Sequence, residues 1–492
     1  MKRILALALA TALMISVAAT VYADGIDVKV KGTWDFAFGY LHNKPLRESV
    51  NRSDGRTGKV RDNDKIESRQ RVRTQVNFIT SENLQAVLMF EIGDIDWGRA
   101  KGNSGRGSGG ALDSDGVNIE TRLAYLDWLV PNTDISVRMG LQRLTLPSGR
   151  MGNPVFDADV AGVVASSPIT DWLSATGFWI RPFDAYLNDE GVFAGRDNLS
   201  DETDVFGLIL PMSYGNISFI PYFAYGFLGA NSGVYDYIYG SGGYANSVDV
   251  NSKAKVWWAG ANFEATILDP LVLNIDAIYG RQQRTDLGNF YGSTNTELGT
   301  SGWYVGATLD YTLDWGTPGI FGWWASGDKS NSDRDGKYGR IPVLGIDGAF
   351  LATTFGAGGY YAIGNGGNYA LVTNTGTGTW GLGIQLADVS FVEDLSHTLR
   401  FACYRGTNDT DVVKRGGNYW RYAVDMIYLT KEDSVFEINF DHQYKIYDNL
   451  TAILELGYLR LSSDRDVWGS RGMNLKENDD AWKAEISFRY AF

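Results

Sequence analysis

The sequence predicts an all-β protein, a transmembrane antiparallel β-barrel of 16–18 strands with short turns at one end and long loops at the other. Two observations carry that fold class. The run from Trp482 to Phe492 alternates strictly: Trp482, Ala484, Ile486, Phe488, Tyr490 and Phe492 take one face, and Lys483, Glu485, Ser487 and Arg489 take the other. Aromatics on one side, ions on the other and no later residue to cover the aromatics suit a sheet whose apolar face meets lipid. The same alternation recurs over most of the chain, broken at intervals by turn residues.

The N-terminus reads as an export signal. Lys2 and Arg3 precede an apolar run from Ile4 to Val17, and Val21 and Ala23 stand at the -3 and -1 positions of a cleavage before Asp24. Residues 1–23 are therefore expected to leave, and 24–492 to form one barrel domain. A membrane anchor would want roughly 20 apolar residues. No later segment is apolar enough for a membrane helix.

Composition agrees. Among 492 residues, 59 are Gly and 13% aromatic, but only 44% are hydrophobic, too polar for a bundle of membrane helices. A barrel needs an apolar residue only at every second strand position. The net charge of -14 becomes two units more negative once Lys2 and Arg3 are removed, which argues against nucleic acid as a partner. A single cysteine, Cys403, excludes an internal disulfide, and its neighbours Leu399 and Phe401 suggest a buried or lipid-facing thiol.

Taken in order, residues 28–42 form a first strand, with Val28, Val30, Trp34, Phe36, Phe38 and Tyr40 opposite Lys29, Lys31, Thr33 and Asp35. A basic stretch between Arg47 and Arg61 follows, and alternation resumes over 64–80, ending at Ser81-Glu82-Asn83. Comparable tight turns fall at 131–133, 167–171, 213–216, 269–270, 315–318, 394–396 and 447–449. Gly-, Asp- and Asn-rich stretches between them mark the long loops. Eight tight turns imply 18 strands; setting aside a weak strand near 157–166 gives 16.

Three stripes illustrate the lipid face. They are Trp257 to Ile267, Leu271 to Tyr279 and Trp303 to Leu313, each apolar at every second position, with aromatics near strand ends as in interfacial girdles. The alternate residues must then face the lumen. On residues 64–80 these are Glu67, Arg69, Arg71, Arg73, Gln75 and Asn77, so three arginines rise as a ladder. Arg122, Arg138, Arg400, Glu437, Asp441, Glu455 and Arg489 add to the set. So many ions do not pack dry. A barrel of this strand number encloses water, so a pore follows.

A surface facing the ladder would come from a loop folded inward. The segment from Pro147 to Asp171 is the best candidate, with Asp157 and Asp159 as its acids; if 157–166 is a strand, the loop shrinks to about Pro147 to Phe156. Here the chain resembles the general-diffusion porins, trimeric outer-membrane channels of Gram-negative bacteria whose loop after the fifth strand enters the barrel and opposes a basic wall. The likeness rests on the architecture of the mature chain and on the C-terminal Ser487 to Phe492. Gly32 to Phe36 and Gly140 to Leu144 also look porin-like.

The resemblance implies a water-filled channel for passive diffusion of small hydrophilic solutes and ions. It implies Arg69, Arg71, Arg73, Arg122, Arg138, Asp157 and Asp159 at the constriction, and Phe488, Tyr490 and Phe492 as the signal read by the barrel-assembly machinery. It also implies a homotrimer among outer-membrane lipid and lipopolysaccharide. A substrate-specific channel, for sugars as an example, is the alternative and would show a row of inward aromatics; only Tyr304 and Tyr404 stand out.

An enzyme is not expected. The three histidines, His42, His397 and His442, fall at separate strand ends, and no metal-ligand spacing or phosphate-cradling motif occurs, so no cofactor is implied. Asp464 to Asp466 could hold Ca²⁺, although loop charge is usually solvated. The segment 348–379 carries no charge, which suggests that it packs on something.

Overall fold

The computed structural model describes residues 25–42, 49–51, 57–59, 65–98, 110, 119–184, 202–229, 253–286, 297–346, 377–415, 429–468 and 478–492. Residues 1–23, the expected export signal, and most of the charge-free segment 348–379 lie outside the described residues.

Strands form wherever aromatic and β-branched residues alternate with polar ones, and they end at Asn, Asp, Gly or Pro. The first six are β1 (Asp27–His42), β2 (Lys65–Ser81), β3 (Leu84–Asp96), β4 (Ile119–Leu129), β5 (Ser136–Thr145) and β6 (Phe156–Thr170). There follow β7 (Leu173–Asp184), β8 (Glu202–Ile209, continued by Met212–Tyr214), β9 (Ile217–Leu228), β10 (Ala254–Ala265), β11 (Leu271–Asp286) and β12 (Glu297–Tyr311). The last are β13 (Thr317–Ala325), β14 (Thr379–Val392), β15 (Leu395–Gly406), β16 (Ser434–Tyr447), β17 (Leu450–Ser462) and β18 (Asn478–Ala491).

Together they form a closed antiparallel barrel of 18 strands, each paired with its sequence neighbours. All eight expected tight turns join strands at one end. The weak stretch at 157–166 is part of the full strand β6, so the higher count holds.

Closure removes the sheet edges. β18 pairs with β1 from Thr33↔Ala491 to His42↔Trp482, and Phe492 exchanges backbone hydrogen bonds with Gly32 at 2.8 and 3.0 Å. A side chain at Gly32 would run into the Arg73 carbonyl and the Phe492 ring, so the seam needs glycine there.

The outer face is apolar, with Phe223, Trp303, Ile320, Leu382 and Ile384 all exposed. Cys403 is exposed on the same face as Leu382, its cross-strand partner.

The interior is uneven. Near the loop end of β7 to β17, inward side chains such as Ile180, Tyr222, Trp258, Tyr304, Trp323 and Leu459 are buried against chain segments that enter the barrel. At the same end, two connections are joined to each other. Buried Asp433 accepts hydrogen bonds from Thr430 N and Oγ1, Asp464 N and Trp468 Nε1, tying the segment before β16 to the one after β17. Burial pushes its carboxyl above the ordinary range, against the pull of those donors.

Candidate functional site

The ladder forms as alternation requires. Arg69, Arg71 and Arg73 of β2 lie two residues apart on one face, and Asp35 of β1 stands opposite Arg71. Each arginine meets an acid of a neighbouring strand. Arg73 Nε donates to Glu91 at 2.6 Å, and Arg69 Nε donates to Asp96 at 2.7 Å. Arg71 lies 3.7 Å from Asp94 and 3.9 Å from Asp35, and Arg489 Nε donates to Asp35 at 2.6 Å.

Arg122 extends this network. It sits where the β3–β4 register shifts between Met89 and Phe90, and it donates to Glu91 at 3.0 Å and to Asp159 at 3.0 and 2.5 Å. Across β18 and β1 to β6 this network joins five acids to five bases: Asp35, Glu91, Asp94, Asp96 and Asp159 to Arg69, Arg71, Arg73, Arg122 and Arg489. Arg138 stands in a pair of its own, bonded to Asp127 at 2.7 Å with its guanidinium over the Tyr125 ring.

The two expected loop acids are strand residues. Asp157 and Asp159 pair in register with Thr145 and Arg143 of β5, and Arg143 reaches Asp157 at 2.7 Å and Asp159 at 3.6 Å. The connection between β5 and β6 is therefore only Leu146 to Val155, and its one charged residue, Arg150, is basic. An acid-bearing loop facing a basic wall does not match this placement. The alternation of β6 is weak at its start, and pairing with β5 on one side and with Gly345 and Ile346 on the other carries the strand back to Phe156.

The short connection nevertheless crosses the interior. Gly149 N donates to both carboxylate oxygens of Asp276 on β11 at 3.0 Å, and Arg150 lies 3.3 Å from Asp310 on β12. Asn153 donates to the Tyr222 hydroxyl of β9 at 3.2 Å and holds the turn through the amides of Val155 and Phe156. Any side chain at residue 149 would collide with Asn274, so glycine lets the backbone reach the wall. Asp276 and Asp310 are 1% and 0% exposed. Alternation already turns both inward, each as the one acid on the inward face of its strand, which was the signal to read.

A second connection enters from the opposite side, between β13 and β14. Trp258 Nε1 donates to Pro342 O at 2.8 Å, while Ile341 and Leu344 are buried. Gly345 and Ile346 then pair in parallel with Phe156 and Asp157, and Leu344 N donates to Val155 O at 2.9 Å. The two inward segments meet each other. They hold two of the inward aromatics, Tyr222 through Asn153 and Trp258 through Pro342, and Tyr222, Trp258, Tyr304, Trp323 and Tyr404 are all nearly fully buried, so these rings pack the interior and do not line a passage.

A third group lies on β15 to β18. Asp441, Glu455 and Glu485 stand opposite one another across three strands, with Glu437 nearby, and all are almost fully buried. Lys483 reaches Glu455 and Glu485 at 3.8 and 3.9 Å, Arg400 donates to Asp441 at 3.2 Å, and Tyr404 donates to Glu437 at 3.0 Å. Among the described residues no cluster of His, Cys, Asp and Glu is arranged to hold a metal ion.

No protein-family model matches the sequence, and no curated protein matches it either. Solved structures do resemble it in shape. The crystal structure of Acinetobacter baumannii OccAB1 aligns over 96% of this chain and 99% of its own, at a TM-score of 0.51 and 11% identity. Acinetobacter baumannii OccAB3 gives 94% and 99% coverage, a TM-score of 0.49 and 10% identity. Pseudomonas aeruginosa OccK11 (OpdR) gives 94% and 96%, 0.48 and 12%. At such identities only the fold is at issue, and that fold, a closed antiparallel barrel of 18 strands, is the one seen in outer-membrane porin structures.

Proposed function

We propose that this chain is an outer-membrane channel through which small hydrophilic solutes and ions diffuse passively, along the arginine-lined side of the barrel. The observation that carries this reading is the docking of Leu146 to Val155 on Asp276 and Asp310. It fills the β7 to β12 side and leaves Arg73, Arg122 and Arg138 with 26%, 21% and 40% of their side chains accessible. A core without a passage would not keep so many ions half-solvated.

Charge preference follows from what is left over after pairing. The ladder is balanced, but Asp276 and Asp310 face one Arg150, and Asp441, Glu437, Glu455 and Glu485 face Arg400 and Lys483. The lumen is net acidic on this reading, so the channel prefers cations weakly. Export by residues 1–23, assembly through Phe488, Tyr490 and Phe492, and a trimer in the membrane remain part of the proposal on the strength of the porin resemblance.

A channel selective for particular solutes is the second reading, favoured by two inward segments held at fixed points. The deciding experiment is a planar-bilayer recording of purified protein under a salt gradient, with and without oligosaccharides. A reversal potential on the cation side without sugar block supports diffusion; block by one sugar class supports the selective channel. An absence of conductance overturns both.

A further inference from the structure

Outside the barrel, four rings run side by side across β9 to β12. Phe223 to Trp257 is 6.2 Å between centroids, Trp257 to Tyr279 5.2 Å and Tyr279 to Trp303 4.7 Å. Below them the outward residues are apolar down to Ile267 and Leu271, so on β10 to β12 the row marks the upper edge of the lipid-facing band, while on β9 outward Tyr225 and Phe227 continue above it.

Lys255 and Arg281 stand at that edge. Arg281 is directly opposite Trp257, and Lys255 is one outward step above Trp257, opposite Phe227. Both are exposed. Among the described residues neither side chain makes an ion pair, and the nearby acids are engaged elsewhere: Asp204 by Arg181 and Trp179, Glu297 by Arg284. Two free cations on adjacent strands stand one residue step apart, over an aromatic shelf, at the end of the barrel with the long loops.

We infer that Lys255 and Arg281, on the shelf of Trp257, Tyr279 and Trp303, bind the phosphate groups of lipopolysaccharide in the outer leaflet. The guanidinium supplies a two-pronged donor to phosphate oxygens, the ammonium a point charge beside it, and the rings take the acyl-chain boundary. A basic residue at the membrane surface attracts an anionic head group strongly enough to localise it, and two act together. The inference rests on the outer-membrane reading above.

The test compares wild type with Lys255→Glu/Arg281→Glu, and with Lys255→Gln/Arg281→Gln in case charge reversal impairs folding. Bound lipopolysaccharide is measured by native mass spectrometry after detergent exchange, and by retention in vesicles containing either lipopolysaccharide or phosphatidylglycerol as the anionic lipid. The expected result is a loss of about tenfold in bound lipopolysaccharide in either double variant, with single-channel conductance unchanged. Equal retention by the variants overturns the site, and so does equal binding of phosphatidylglycerol by wild type. Wild-type protein that conducts yet carries no lipopolysaccharide defeats the lipid site alone, whereas protein that neither inserts nor conducts defeats the channel reading with it.

Discussion

Asp35 on the first strand accepts a hydrogen bond from Arg489 on the last, Nε to Oδ1 at 2.6 Å, and the same carboxylate lies 3.9 Å from Arg71. One buried acid therefore joins the closing seam to the ladder. Its side chain is 4% exposed, while that of Arg489 keeps 36%. Asp35→Asn should destabilise the barrel by about 2–3 kcal/mol, toward the low end for a broken buried pair because Arg489 still reaches water. The midpoint of thermal unfolding in detergent, followed by loss of the fast-migrating folded band on gels, measures this. An unchanged midpoint would show that the seam depends on backbone pairing alone.

Asp276 and Asp310 hold the segment that crosses the interior, through the Gly149 amide and Arg150. Asp276→Ala/Asp310→Ala removes both attachments and leaves Arg150 without its acid. The segment should then sample positions away from β11 and β12, giving higher and noisier open-channel current. Single-channel records at fixed voltage read this directly. Current identical in amplitude and noise to wild type would mean that the contacts through Asn153 and Tyr222 suffice.

Glu91 serves two arginines, Arg73 and Arg122. Arg73→Gln takes one positive charge from the accessible wall, so the reversal potential should move toward stronger cation preference. Glu91→Gln should move it the other way. The opposite signs matter more than the sizes, since wall charges act on permeant ions through water. Shifts of the same sign in both variants would point to a change in shape instead of field.

Cys403 provides a test of orientation that needs no substitution. It is exposed on the outer wall beside Leu382, where lipid would cover it. A bulky water-soluble maleimide should leave the thiol unmodified in intact vesicles and label it after solubilisation and unfolding. Fast labelling in vesicles would place this stretch of β14 and β15 outside the lipid band.

Much of the barrel is legible without a structure. Period-two alternation and turn chemistry are local properties, which is why all eight tight turns and the inward ladder of Arg69, Arg71 and Arg73 can be read directly. Phe156–Thr170 is the weak case: over 157–166 it reads as a weak strand at best, so Asp157 and Asp159 could equally belong to a loop. Their pairing with Thr145 and Arg143 makes them part of the wall.

By itself the sequence determined which residues alternate, where the chain turns and which face meets lipid, because each depends on neighbours a few residues apart. Only the tertiary structure decided which charges meet. Arg122 finds Glu91 and Asp159, Arg489 finds Asp35, and Gly149 reaches Asp276, contacts made between residues 31 to 454 positions apart. Such pairings depend on barrel closure and on where an inward segment can dock. Side-chain alternation carries no information about either, since a residue known to face the lumen is not thereby told what stands across from it.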